Sequence, residues 1–454
     1  MTGPPARRGG RRPPLIPVLP RPAWVVLGGD FVSAVGSGLT LPFLFVYAHR
    51  VRGLSDGAAG LVLATIALAS LAGNPAGGAL ADRFTARRAV MAGLVVAAAG
   101  SAGLAVAHSA AALFGAAALT GLGVSVIWPA QDALLAGLVG PAERSAVFAV
   151  RHASLNAGLG VGALGAAAVV RVAHPGTFTG VYLADAVSFL AALPVLAYLG
   201  RLAGAAGGEL AAAEAAHAGP TGTRPRLTVR QVLGDRMFRR VWLLTALIVT
   251  VSFGQSESSF PGYATRPGGI GPRDLSIAFA VNTLTVVGAQ LFVLRRLAGH
   301  RRTTGTALAA AAWAVAWALV IAGGRLGGGA LAAVMFTAAM AVFGVGESLL
   351  SPTLPAIIND LAPPGAAGRY NGLGTLAFTT GFLIGPAGGA AAVGAGWGAG
   401  LFAVLIAACV LAGAGAIRLG RRLPAGVNQV SPPPEATAPA PVPAADVRAG
   451  AGGP

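Results

Sequence analysis

Twelve long apolar runs restrict what this chain can fold into. Each run is long enough, at about 20 residues, to cross the roughly 30 Å hydrocarbon core of a bilayer as an α-helix. Backbone groups in lipid must be paired internally, and the short alternating segments of a membrane β-barrel are absent, so the runs predict helices. They cover residues 24–48, 56–80, 88–107, 112–138, 146–170, 177–200, 241–263, 275–297, 304–323, 329–358, 370–393 and 397–417.

The composition excludes several classes of protein. Only 10% of the residues are charged, and the mean hydropathy is +0.72, which indicates a lipid-immersed chain. The net charge of +17 does not indicate a nucleic-acid partner, because the arginines lie in short connections between apolar runs. The chain has no lysine for a phosphate-binding loop, one cysteine (Cys409) and six scattered histidines without an H-E-x-x-H motif. We therefore predict no metal, no cofactor and no enzymatic activity.

The distribution of arginine predicts the orientation in the membrane. With the N-terminus in the cytoplasm, 26 of the 32 arginines fall on the cytoplasmic side and 6 outside. The sequence thus predicts a monomeric, multi-pass protein of the cell membrane with both termini cytoplasmic. We expect a disordered N-terminus over 1–22, a six-helix bundle over 23–200, a cytoplasmic linker over 201–240, a second six-helix bundle over 241–420 and a disordered tail over 421–454.

A weak internal repeat relates the two groups of six runs. Residues 128–144 resemble residues 351–369, with Pro129 at the position of Pro352 and Arg144 at that of Arg369. Three further residues recur at shifts of 218 or 219 positions: Trp24, Pro42 and Asp56 correspond to Trp242, Pro261 and Asp274. Two halves related by an axis along the membrane normal enclose a cavity near the midplane, as alternating-access transporters do. The fold class predicted is therefore all-α, with twelve transmembrane helices in two pseudo-symmetric six-helix bundles.

The connection after the second run, "GGALADRFTARRAV" (77–90), carries four charges between two apolar runs. It resembles the signature Gly-x-Leu-x-Asp-Arg-x-Gly-Arg-Arg of the major facilitator superfamily, and the resemblance extends over residues 20–420. Thr85 stands where the family has its second glycine. The matching residues are Gly78, Leu80, Asp82 and Arg83, with Arg87 and Arg88 following.

The resemblance implies that this connection helps to close the cytoplasmic side. The eleventh helix should begin near Arg369 on the same side, where its partial positive charge can meet Asp82. The chain is similar to the family's twelve-helix drug/proton antiporters. It departs from their fifth-helix motif Gly-Pro-x-x-Gly-Gly, because Ala163 stands at the proline position. Small-xxx-small pairs predict close helix packing at Gly158, Gly162, Gly381, Gly385 and Gly389.

Acidic residues inside the apolar runs are candidates for proton coupling or substrate binding, since each is costly in the bilayer core. We single out Asp30, Glu257, Glu347, Asp132 and Asp185; each could instead be a buried acid satisfied by its neighbours. Asn282 and Gln290, eight residues apart on one helical face, either line a cavity or bond a neighbouring helix. Trp128 is a third cavity candidate.

These features predict a secondary active transporter that works by alternating access, with a small-molecule substrate and protons as its partners. Arg151, near the start of the run 146–170, is counted on the cytoplasmic side, so we expect no arginine embedded in the spans and hence no anion site. Export of small amphipathic compounds is the leading hypothesis. The alternatives are an uptake symporter or uniporter for a metabolite and a non-transporting membrane sensor or scaffold.

Overall fold

A computed structural model describes residues 16–206, 227–256 and 258–431. Twelve long helices run through this part of the chain, as the sequence predicts, and we number them α1 to α12. Eleven of them are long and apolar enough to cross a membrane. The twelfth, α5, carries Arg151, His152 and Asn156 in its first half, and these residues lower its hydropathy.

Six helices form the N-terminal half. They are α1 (Arg21–Val51), α2 (Asp56–Arg83), α3 (Ala86–Val106), α4 (Ala110–Leu138), α5 (Arg144–Val169) and α6 (Gly176–Ala206). Serine or threonine side chains cap several of these helices; the Thr85 hydroxyl, for example, accepts a hydrogen bond from Arg88 N at the start of α3.

The other six helices form the C-terminal half. They are α7 (Arg236–Thr265), α8 (Pro272–Leu297), α9 (Arg302–Arg325), α10 (Gly329–Leu361), α11 (Ala367–Gly394) and α12 (Gly398–Gly420). A short helix, Val229–Gly234, precedes α7. Asp235 joins the two by accepting hydrogen bonds from Met237 N and Phe238 N at the start of α7.

Three helices contain breaks. α1 ends in a 3-10 turn, Leu41–Phe43, and a π-helical turn, Tyr47–Val51. α7 is interrupted at Ser252, and α10 is interrupted between Leu350 and Leu354. Proline cannot donate a backbone hydrogen bond, and Pro42 and Pro352 lie at the breaks in α1 and α10.

Successive helices alternate in direction. The start of α1 packs with the ends of α4 and α6, since Leu19, Leu138 and Leu199 belong to one apolar cluster. The end of α12 lies beside the start of α9, where Asn428 Nδ2 donates to Gly420 O and Thr303 N donates to Asn428 Oδ1. We call this side of the bundle the termini face, because the described chain begins and ends there.

The predicted packing glycines lie at close helix contacts within each half. A Cβ at Gly162 would come within 2.1 Å of Val35 O on α1, and one at Gly389 within 1.8 Å of Ser259 Oγ on α7. Cβ atoms at the other three predicted glycines, Gly158, Gly381 and Gly385, would come within 2.7 Å of a neighbouring helix. Small residues thus let α1 approach α5 and α7 approach α11.

The predicted domain boundaries need two corrections. Residues 201–240 were expected to form a linker, but α6 continues to Ala206 and α7 begins at Arg236; residues 207–226 lie outside the described residues. The tail was expected to be disordered from 421, but residues 424–431, the C-terminal segment, pack against the connection between α8 and α9. Val430 is buried there, with its carbonyl accepting from Gly299 N at 2.8 Å.

Candidate functional site

A cavity of about 360 Å³ lies between the two halves. Helices α2, α4 and α5 line it from the N-terminal half, and α7, α10 and α11 line it from the C-terminal half. Its charged and aromatic side chains on the N-terminal side are Trp128, Asp132, Phe148, Arg151 and His152. Such a cavity at the interface of two repeats is where alternating-access proteins bind their substrates.

Three phenylalanine rings lie together in the C-terminal wall of the cavity and form its aromatic part. The Phe253 ring lies 6.5 Å from that of Phe378 and 6.0 Å from that of Phe382, measured between centroids. Asn371 and Thr379 add polar groups on α11, and the Asn74 side-chain amide of α2 donates to Thr379 Oγ1 at 2.7 Å. The cavity can therefore hold a ligand that has both an apolar body and a polar or charged group.

Arg151 lies within the bundle, and its assignment to a cytoplasmic segment was wrong. It is seven residues into α5, about 10 Å along the helix, and is only 6% exposed. Its Nε donates to Asp30 Oδ2 on α1 at 3.1 Å, and its Nη1 donates to Asp132 Oδ1 on α4. Two carboxylates stabilise this buried guanidinium, which explains how an arginine is tolerated at this depth.

Two further residues complete what we call the Arg151 cluster. The Arg151 Cζ atom lies 4.7 Å from the centroid of a Trp128 ring, within the range of a cation–π contact. The Gln131 side-chain amide donates to Asp30 Oδ1. The cluster is thus Asp30, Trp128, Gln131, Asp132 and Arg151. Asp30 is buried behind the cavity wall, whereas Asp132, Arg151 and Trp128 line the cavity.

A second ionisable pair crosses the cavity from one half to the other. His152 Nε2 on α5 lies 3.5 Å from Glu347 Oε2 on α10. The Asn282 amide on α8 donates to the other oxygen, Glu347 Oε1, at 2.9 Å. Glu347 was a sequence candidate; His152 was not, since an isolated histidine near a helix end gave no sign of a partner nearly 200 residues away.

The remaining candidates divide as follows. Asn282 and Gln290 on α8 form hydrogen bonds with α10 and do not line the cavity. Gln290 Nε2 donates to Ser348 O at 3.0 Å. Asp185 is a buried acid held by Ser101 and Thr40 on neighbouring helices, with the Ser101 hydroxyl donating at 2.8 Å. Glu257, the leading sequence candidate, lies outside the described residues.

Asp82 makes the contact that the sequence predicts with the start of α11. Its carboxylate accepts hydrogen bonds from Gly368 N at 2.7 Å, from Arg369 N at 3.0 Å and from Arg369 Nη1 at 3.0 Å. A Cβ at Gly78 would come within 2.2 Å of Gly368 O, so α2 and α11 touch through their backbones. We call Asp82, Gly368 and Arg369 the Asp82 cluster; it joins the two halves at the termini face.

The other residues of the signature stay within the N-terminal half or at its surface. Leu80 packs on the apolar core, and Arg87 Nη1 donates to Leu196 O on α6 at 3.4 Å. Arg83 stacks on the Phe84 ring at 5.5 Å, and Arg88 is exposed at the start of α3.

A second charged contact, not foreseen from the sequence, also joins the halves at the termini face. Asp360, near the end of α10, accepts from Arg144 at the start of α5 and from Arg302 at the start of α9. Arg302, only 1% exposed, also donates from Nε to Ser145 Oγ at 3.1 Å. We call Arg144, Ser145, Arg302 and Asp360 the Asp360 cluster.

The sequence profile of the Major Facilitator Superfamily matches residues 26–386. The chain belongs to this superfamily. It is 28% identical over 373 residues to the uncharacterized MFS-type transporter YttB of Bacillus subtilis, covering 81% of this chain and 87% of that protein. It is 27% identical over 381 residues to the multidrug resistance protein MdtH of Aeromonas hydrophila, covering 81% and 86%.

Solved structures agree with the fold. A bacterial homologue of the iron transporter ferroportin, in an outward-facing state, superposes with a TM-score of 0.70 at 17% identity, covering 89% of this chain and all of that one. The protein is therefore an MFS transporter with the superfamily's twelve-helix, two-half architecture.

Proposed function

We propose that this MFS transporter exports small amphipathic organic compounds in exchange for protons. The observation that carries the proposal is the His152–Glu347 pair, which places two protonatable groups from opposite halves in one cavity. A proton that enters or leaves this pair changes the contact between the halves. A proton can thereby bias an alternating-access equilibrium.

The termini face is the cytoplasmic side in this proposal. Most of the arginines in the described residues lie there, in accordance with the positive-inside rule. The Asp82 and Asp360 clusters join the halves at this face, so the described conformation corresponds to a transporter closed toward the cytoplasm. Opening this face requires both clusters to separate, which makes them candidates for gates.

Export of amphipathic compounds is supported by the cavity and by the relatives. The aromatic wall formed by Phe253, Phe378 and Phe382 suits an apolar body, and the charged residues opposite suit a polar group. MdtH is named a multidrug resistance protein. A protein of Planococcus maritimus named Na(+), Li(+), K(+)/H(+) antiporter is 33% identical over 150 residues, 31% of this chain.

Flux in proteoliposomes with an imposed pH step tests the proposal. Purified protein should drive a fluorescent amphipathic dye against its gradient only while the pH difference persists. Glu347→Gln should abolish the proton-linked part of the flux, because it removes the titrating group while keeping the bond to Asn282. Glu143→Gln, in the connection before α5, is the matched control and should retain full flux.

Two outcomes would contradict the proposal. Dye movement that ignores the pH step in the wild type would remove proton coupling. Accumulation of a metabolite driven in the same direction as protons, with no dye export, would favour the uptake symporter instead.

A further inference from the structure

The Arg151 cluster carries an imbalance of charge at the wall of the cavity. Its two carboxylates, Asp30 and Asp132, oppose one guanidinium, so the ionised cluster holds one surplus negative charge. The two carboxylates are not equivalent. Asp30 is buried behind the wall and also accepts a hydrogen bond from Gln131. Asp132 faces the cavity, and within the described residues its one side-chain hydrogen bond comes from Arg151 Nη1.

The position of the guanidinium defines a small binding site. It lies between the Asp132 carboxylate and the face of Trp128, 4.7 Å from the ring. A carboxylate beside an aromatic face is suited to a flat organic cation, which gains an ion pair and a cation–π contact together. Arg151 supplies such a cation from within the protein.

We infer that Asp132 and Trp128 form the subsite for the cationic group of the substrate, and that Arg151 is a tethered cation occupying this subsite while the cavity is empty. The ligand class is a flat guanidinium- or amidinium-like organic cation with an apolar body. On binding, the ligand takes Asp132 and the Trp128 face, and Arg151 keeps its Nε bond to Asp30, 3.1 Å long.

The cavity places the rest of such a ligand against the aromatic wall of the other half. Phe253, Phe378 and Phe382 line the cavity together with Trp128 and Asp132. A ligand that bridges the two walls contacts both halves at once. The inference rests on the proposed transport of amphipathic compounds, whose substrate class it narrows to cations.

Binding by isothermal titration calorimetry to the purified full-length protein tests the inference without requiring transport. Three probes of nearly equal shape are used: benzamidinium (cationic), benzamide (neutral) and benzoate (anionic). Benzamidinium should bind the wild type weakly, and benzamide and benzoate should not bind measurably. Asp132→Asn should abolish benzamidinium binding.

The decisive variant removes the tethered cation without changing the net charge of the cluster. Arg151→Gln alone would leave two buried carboxylates without a cation and could unfold α5, so it is combined with Asp30→Asn. The double variant keeps one negative charge, on Asp132, and should bind benzamidinium about tenfold more tightly than the wild type. Arg52→Gln is the control, because Arg52 also stacks on an aromatic ring, that of Tyr47, but far from the cavity; its affinity should match the wild type.

Three results would overturn the inference. Benzoate binding to the wild type that is lost in the double variant would make Arg151 an anion site. Equal benzamidinium affinity in the wild type, Asp132→Asn and the double variant would place the ligand elsewhere. Absence of benzamidinium binding to the folded double variant would show that a freed Asp132 beside Trp128 is no cation site. If benzamidinium binds as expected but the protein shows no proton-linked flux, only the proposed proton-coupled export is contradicted, and the cation subsite stands.

Discussion

The two clusters that join the halves at the termini face differ in what they bind. At the start of α11, Asp82 binds mainly backbone: two of the three donors described there are the amides of Gly368 and Arg369. Asp360 binds two arginine side chains, and its contact with the other half runs through Arg144. A carboxylate at a helix start is stabilised by the backbone amides of that helix. A carboxylate between two arginines is stabilised only when all three side chains are correctly placed.

The difference suggests different roles for the two clusters. In the Asp82 cluster two donors are backbone amides of the helix start, so this contact depends mainly on how close α2 and α11 lie. In the Asp360 cluster, separation of the halves takes Arg144 from Asp360 and Ser145 from Arg302, while Arg302 and Asp360 stay paired in the C-terminal half. Asp360 lies between two arginines from opposite halves, and it is the carboxylate that lets these cations approach each other. We therefore expect the Asp360 cluster to contribute more free energy to the closed termini face.

Asp360→Asn should have the largest effect. It leaves Arg144 and the buried Arg302, two cations from opposite halves, facing each other without the carboxylate between them, and breaking a buried ion pair costs about 3–5 kcal/mol. The open population at the termini face should rise by more than about 100-fold. Spin labels on Arg201→Cys and Arg421→Cys, both exposed positions in opposite halves, report this population as a longer distance.

Asp274→Asn is the control for that measurement, since it removes an acid in the first turn of α8, away from the termini face. It should leave the distance distribution unchanged. An unchanged distribution in folded Asp360→Asn would mean that the Asp360 cluster does not hold the halves together.

The sequence predicted one of these clusters and not the other for a physical reason. Asp82 belongs to a local motif, and the start of α11 could be located from the apolar run that follows Arg369. Asp360 pairs with a residue 216 positions away and another 58 positions away, so only the tertiary packing brings the three together. Its one signal was the internal repeat, which relates residues 351–369 to the charged end of α4.

The same distinction applies inside the cavity. Apolar runs predicted all twelve helices, because hydropathy and length are local properties. The same local reading led to the error at Arg151. Its closeness in sequence to the charged connection before α5 suggested a cytoplasmic position, but closeness in sequence does not show whether a side chain is buried. Asp30, Asp132 and Arg151 come from three helices, and only their packing makes one charge cluster.

Asp82→Asn should have the second largest effect. An asparagine keeps one acceptor for an amide of α11 but loses the negative charge at the helix start and the ion pair with Arg369. Hydrogen bonds to charged groups contribute about 1.5–3 kcal/mol, so the open population should rise about 10- to 100-fold. The same pair of spin labels measures it, and an effect exceeding that of Asp360→Asn would reverse the order of the two clusters.

Asn428→Ala should have the smallest effect and tests whether the C-terminal segment supports the Asp360 cluster. The Asn428 side chain accepts from Thr303 N at 3.0 Å, and the Val427 carbonyl accepts from Arg302 Nη1 at 2.8 Å, so the segment fixes the start of α9. Losing the Asn428 side-chain bonds should cost about 1 kcal/mol and raise the open population about fivefold. Gln429→Ala changes the exposed neighbouring residue and should leave the open population unchanged. If Asn428→Ala also leaves it unchanged, the C-terminal segment does not support the Asp360 cluster.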